Sequence, residues 1–123
     1  MKFSEDQESG MYLLAAYGDD WVQVNDRKLS SGFILGPSLL LEEDIPTTFR
    51  ELRAIHLERL FAQHSEIILI GTGKTQSLPT PEVHQALINN KIGFEFMTTA
   101  AACRTYRVLN AEARSVLALL FPA

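Results

Sequence analysis

The stretch Ile67-Ile68-Leu69-Ile70-Gly71-Thr72-Gly73 constrains this chain more than any other. Four consecutive branched aliphatic side chains are apolar on both faces of an extended backbone, and such strands lie inside α/β sheets covered on both sides. The two glycines end the strand in a tight turn that exposes backbone. A strand of this kind needs helices above and below it.

With 123 residues, 46% of them hydrophobic and 21% charged, the chain has material for one core and too little for two. Its net charge of -4 argues against a nucleic-acid partner, because phosphate backbones are held by an excess of Lys and Arg. The single cysteine, Cys103, allows neither an internal disulfide nor a cysteine-based metal cluster, and it fits a reducing compartment. No run approaches the roughly 18 to 20 apolar residues of a membrane span. Residues 1–10, with Glu5, Asp6 and Glu8, are polar and acidic, unlike a basic leader. These features predict a disordered acidic tail over 1–10 and a single α/β domain over 11–123, in a soluble cytoplasmic protein without membrane insertion.

Along the chain, Tyr12 to Tyr17 reads as a short strand and Gly18-Asp19-Asp20 as a turn. Trp21 to Asn25 alternates, and Asn25-Asp26 reads as a hairpin turn into a strand from Lys28 to Leu35. Gly36-Pro37 ends that strand, and Ser38 to Leu41 forms another before the solvated acidic turn Glu42-Glu43-Asp44. After Pro46 the period changes. Thr48 and Glu51 have capping-box spacing, and a helix is expected to about Gln63. At about 100° per residue, Phe49, Leu52, Leu57 and Leu60 make an apolar arc that also takes in Arg53 and His56.

The strand at Ile67 follows, then a loop containing Pro79. Thr80-Pro81-Glu82 opens a helix to about Lys91, with a capping hydroxyl, a proline in its first turn and an early acid. Gly93 is expected to stop it. Gly93 to Met97 reads as a strand, Thr99 begins a further helix, and Ser115 to Phe121 reads as a closing strand or as more of that helix. Alternating helices and strands predict βαβ units. The fold expected is a three-layer α/β domain with a mixed, partly parallel sheet, helices packed against it and an N-terminal β-hairpin layer.

Gly71-Thr72-Gly73, the Pro79-x-Pro81 helix start and the run Met97-Thr98-Thr99-Ala100-Ala101-Ala102-Cys103-Arg104-Thr105-Tyr106, with Glu112 and Arg114 beyond it, carry a resemblance. From about Tyr12 to Leu120 the chain resembles a small domain family of unknown biochemical function. That family includes the mitochondrial respiratory complex I assembly factor 3, the adipogenesis-associated domain protein and many short bacterial proteins. The resemblance implies a three-layer α/β fold with a mixed sheet and no established catalytic residue. For the mitochondrial member it implies assembly of a membrane complex through protein contacts. Thr98 stands where the family often has Asp, Arg107 where it often has Asn, and Ala113 where it often has Gly. Any acid–base or metal role of the usual Asp is therefore missing here.

Two groups of residues are candidate sites. If the strands ending at Ile70 and Met97 are parallel neighbours, their carboxyl ends share an edge where α/β sheets bind ligands. That edge would collect Gly71, Thr72, Gly73, Lys74, Thr98, Thr99 and Arg104 in a crevice suited to a small anion, unless the threonines only cap and the glycines only turn. The second group is a stripe. On the helix after Thr99, Ala102, Cys103, Tyr106, Leu109 and Ala113 share one face, and Arg104, Arg107 and Arg114 share the opposite one, provided the helix continues that far. Arginine is enriched at interfaces because its flat guanidinium stacks and pairs bidentately, although a solvated face would look the same.

Other constellations point nowhere. Gly73-Lys74-Thr75 imitates the end of a phosphate loop, but Ile68 stands where its first glycine belongs, and no helix starts at the Lys-Thr. Cys103 falls on the apolar side of its helix, where a cysteine is a small hydrophobe. His56, His64 and His84 lack paired metal spacing. No cofactor is expected. The reading reached is a protein-binding, assembly-factor-like domain acting through a basic helix face on a partner that is acidic or part of a larger complex. The alternatives are a binder of, or weak enzyme on, a small anionic ligand at the crevice, and a homodimer through the arginine helix or an edge strand.

Overall fold

The computed structural model describes residues 11–123, so the expected acidic tail lies outside the described residues. Strands β1 (Leu14–Tyr17), β2 (Val22–Val24) and β3 (Arg27–Leu29) form a small antiparallel sheet in chain order. A larger sheet is made by β4 (Phe33–Gly36), β5 (Leu39–Leu41), β6 (Ile67–Gly71), β7 (Gly93–Met97) and β8 (Val116–Leu120). Its order is β5-β4-β8-β6-β7. β6 runs parallel to both neighbours, with Gly71 opposite Met97 and Leu120, while β4 pairs antiparallel with β5 and β8. The helices are α1 (Glu58–Phe61), α2 (Pro81–Asn89) and α3 (Thr99–Ala111). The domain is thus α/β, with a mixed, partly parallel sheet and an N-terminal hairpin sheet.

Period-2 alternation divides the core in two. Phe33, Leu35, Leu69, Val116, Ala118 and Leu120 face α3 and the small sheet, together with Tyr106 and Cys103. Ile34, Ile68, Ile70, Leu117 and Leu119 face the other way, onto Phe49, Leu57, Leu60, Val83 and Leu87. Both faces of β6 and β8 are therefore covered, as unbroken aliphatic runs require. Each such side chain stabilises the fold by about 1.5–3 kcal/mol through burial.

Three expectations need correction. The strand from Lys28 to Leu35 is two strands in different sheets. The chain crosses between them at Gly32, which packs so tightly that a Cβ there would come within 2.7 Å of the Phe121 ring. The helix from Thr48 to Gln63 is two 3-10 turns, Phe49–Glu51 and Ala54–Leu57, followed by the single turn of α1. Thr48 does use Glu51, donating its amide at 3.2 Å and its hydroxyl at 3.0 Å. The break falls at Leu52 and Arg53, both extended. There the Arg53 amide donates to His56 Nδ1 at 2.8 Å, and Glu82 of α2 accepts from Arg53 Nε at 2.8 Å and from the Ala54 amide at 3.0 Å. The Arg53 guanidinium, followed by that amide, holds the Glu82 carboxyl below its usual range. Finally, the stop expected at Gly93 falls to Lys91, which reverses the chain after α2 at φ 55°, while Gly93 opens β7 with the bounds expected for that strand.

The end of α3 settles the last segment. The Ala113 amide donates to the Asn110 carbonyl at 3.0 Å and the Arg114 amide to the Leu109 carbonyl at 3.1 Å, a Schellman closure. Its left-handed residue is Ala113, at φ 61°. A Cβ in that region costs about 1–2 kcal/mol. Ala113→Gly should therefore raise stability by about 0.5–1 kcal/mol after the added entropy of the unfolded chain, read as a higher urea midpoint with unchanged slope.

Candidate functional site

Because β6 is parallel to β7 and β8, all three end on one edge. Just beyond lies a crevice of about 160 Å³ lined by Gly18, Asp19, Gly73, Lys74, Thr98, Thr99, Ala100 and Pro122. Four of the seven crevice residues proposed from sequence, Gly73, Lys74, Thr98 and Thr99, line it. Gly71 and Thr72 lie in the strand end leading to it, and Arg104 is not in its wall. Gly18, Asp19, Ala100 and Pro122 were not foreseen. Ala100 follows directly on Thr99, but nothing local marks the other three, since they arrive from the β1–β2 turn and the segment after β8.

The backbone around this crevice is occupied by the fold itself. The Thr99 hydroxyl, nearly buried, accepts from the Gly73 amide at 2.9 Å and donates to the Phe121 carbonyl at 2.6 Å. The Thr99 amide returns to the Gly73 carbonyl at 2.9 Å. Thr98 is the N-cap of α3, its hydroxyl accepting from the Ala101 amide at 3.2 Å and its carbonyl from the Ala102 amide at 2.9 Å. Thr72 closes the following loop through its hydroxyl, which donates to the Thr75 carbonyl at 2.7 Å and accepts from the Ser77 amide at 3.1 Å. Gly71 is required by close approach, because a Cβ there would stand 2.9 Å from Thr99 Cα. Most of the donors an anion would use already have acceptors, and Asp19 adds negative charge to the wall.

The exposed side of α3 is different. Arg104 and Arg107 project from a thirteen-residue helix that carries no Asp or Glu. Arg104 Nη1 donates to the Tyr17 hydroxyl at 3.3 Å. Arg107 borders a groove of about 390 Å³ between α3 and β1, whose walls are Leu13, Leu14, Ala15, Tyr106, Asn110 and Ala111. Arg27, Arg53, Arg59 and Arg114 each pair with a carboxylate, whereas among the described residues Arg50, Arg104 and Arg107 pair with none, and of these Arg104 and Arg107 share one helix. Arg114 does not continue the stripe, since the helix closes before it and its Nε turns to Glu66 at 3.4 Å.

A larger concavity, about 490 Å³, lies between Ile45, Pro46 and Ile55. Two of its charges engage each other: Arg59 meets Asp44 at 3.9 Å and also donates to the Glu43 carbonyl at 3.3 Å. Cys103 is fully buried and its thiol is pushed up to about 12 by desolvation, the opposite of an activated nucleophile. His56 lies half-buried on its 3-10 turn, and His84 packs edge-on to Phe94 at 5.8 Å. Among the described residues no group of three His, Cys, Asp or Glu is placed to hold a metal ion.

Known proteins are similar to this chain in sequence and in overall fold. A curated relative, the "13 kDa major membrane protein" of Francisella tularensis subsp. holarctica, is 34% identical over 88 residues, which is 71% of this chain and 72% of that protein. No helix of the described residues is long and apolar enough to cross a membrane. The NMR structure of a Xanthomonas campestris protein superposes with a TM-score of 0.82 at 36% identity, covering 91% of this chain and 85% of the other. A Bordetella pertussis protein, described as a Mth938-like domain, gives a TM-score of 0.76 at 26% identity over 93% of this chain and 87% of its own. The model of the family "Protein of unknown function (DUF498/DUF598)" matches residues 14–121. With that match spanning both sheets and all three helices, the chain belongs to the DUF498/DUF598 family of proteins of unknown function.

Proposed function

We propose that this protein is a protein-binding domain that works in the assembly or upkeep of a larger complex, and that the exposed face of α3 is its contact surface. The observation that carries this reading is the pair Arg104 and Arg107, without carboxylate partners among the described residues of a chain whose net charge is -4. Among the described residues four of the seven arginines pair with a carboxylate, as Arg27 does with Glu42 at 2.8 Å. Two that do not, on one helix, present a local positive field to an acidic partner. The resemblance to a family with an assembly factor among its members agrees with this role. In this reading the protein works from the cytoplasm. The anionic-ligand alternative draws less support, because the amides of Gly73, Thr99, Ala101 and Ala102 are already engaged.

Affinity capture from the source cell's lysate tests it, with wild type beside Arg104→Glu/Arg107→Glu and both checked for equal melting temperature. The expected result is a specific partner retained by wild type and lost by the double variant. Specific partners held equally by both proteins would move the contact elsewhere, and none for either would count against a binding domain.

A further inference from the structure

We infer that the groove between α3 and β1 receives an acidic amphipathic segment of the partner, with an apolar side chain seated in the groove and carboxylates on Arg104 and Arg107. This rests on the protein-binding reading above and goes beyond it by naming the partner's chemistry. The groove, about 390 Å³, is large enough for a leucine or phenylalanine side chain and too open to hold a small molecule by enclosure. Its walls are aliphatic on the strand side, at Leu13, Leu14 and Ala15, and mixed on the helix side, where Tyr106 and Ala111 stand with Asn110 and Arg107.

The apolar character continues onto the surface. Leu13 is 60% exposed and Val108 57% exposed. On α3, Arg104, Val108 and Ala111 share one face, with Arg107 between that face and the groove. An apolar slot with Arg107 in its wall and Arg104 a turn away on the same helix, both without carboxylate partners among the described residues, has the anatomy of an interface: an apolar centre with a charged rim. Lys28, over the Trp21 ring at 4.3 Å, adds a further cation to the small sheet. Charge complementarity therefore selects Asp and Glu in the occupant, and the groove selects a large aliphatic or aromatic residue between them. A basic segment is rejected by the same arginines.

The test is a selection of random twelve-residue peptides displayed against the immobilised full chain, followed by fluorescence anisotropy with the best synthetic peptide. The expected winners combine Asp or Glu with Leu, Phe or Met. Their affinity should fall at least about tenfold against Arg104→Glu/Arg107→Glu and against Leu13→Ser, an exposed position whose change leaves the core intact. Amide shifts at Leu13 to Ala15 and Arg107 to Ala111 should accompany binding. Winners without acidic bias, or with affinity indifferent to both variants, overturn the inference even if lysate capture finds an Arg-dependent partner, in which case protein binding stands and the groove does not. Light scattering that shows a dimer broken by Arg107→Glu overturns it in favour of a second copy. Cosedimentation with phosphatidylglycerol vesicles, lost in the double variant and matched by no peptide, overturns it in favour of a membrane surface.

Discussion

Thr99→Val should destabilise the protein by about 3–4 kcal/mol, lowering the melting temperature by roughly 10–20 °C, whereas Thr99→Ser should cost about 1 kcal/mol. The hydroxyl lies where the ends of three strands meet. It accepts the amide of Gly73 beyond β6 and donates to the carbonyl of Phe121 beyond β8, from the first residue of α3 after β7. Valine has the shape of threonine but offers neither bond. A donor and an acceptor in a site only 6% exposed would lose their partner, and each costs about 1–3 kcal/mol when left unmade. Serine keeps both bonds and loses one methyl.

The comparison also separates two roles for the crevice. If Thr99 served mainly to bind a ligand, both variants would fold with near wild-type stability. Equal melting temperatures for Thr99→Val and Thr99→Ser would show that the knot contributes little. A wide gap between them means that the fold itself employs the most crevice-like residues of the sequence.

That outcome bears on what the sequence made legible. β6, α2, β7 and α3 could be read because each follows a local rule: an unbroken aliphatic run, a Thr-Pro-Glu start, alternation, a threonine cap. The parallel pairing of β6 with β7 followed from their spacing around a helix. The break at Arg53 was hidden because its cause, the Glu82 carboxylate, comes from a different helix. Phe49, Leu52, Leu57 and Leu60 are buried all the same, so the apolar arc correctly named the inward residues while misnaming the element that holds them. The crossing at Gly32 was hidden for a similar reason: the ring it packs against is Phe121, far along the chain. Of the candidate surfaces, the arginines were visible as a helical spacing. The groove beside them was not, because its other wall is β1 and only the folded chain joins the two.

The second large effect is alkaline. Burial raises the Cys103 thiol from 9.0 to about 12 and the Tyr106 phenol from 10.0 to about 12. Tyr106 is 1% exposed, and its hydroxyl has no hydrogen-bond partner among the described residues, so nothing offsets desolvation of the phenolate. For both groups the folded state favours the protonated form. Their contribution is complete below the unfolded values and is lost as pH rises from about 9 toward about 12. At about pH 11 the unfolded chain has gained about two units of ionisation free energy from the thiol and about one from the phenol. At 1.36 kcal/mol per unit, that makes the fold about 4 kcal/mol less stable than at about pH 8. For a domain stabilised by about 5–15 kcal/mol, the urea midpoint should fall by a third or more. Cys103→Ala assigns the larger share: it should lower stability at about pH 8 by about 1 kcal/mol through lost packing, yet flatten the alkaline slope by about 2–3 kcal/mol. Tyr106→Phe, which removes a hydroxyl without a partner, should flatten the slope by about 1 kcal/mol and leave stability at about pH 8 equal or higher. A slope unchanged in both variants would trace the alkaline loss to other groups and place the two ionisations in contact with water.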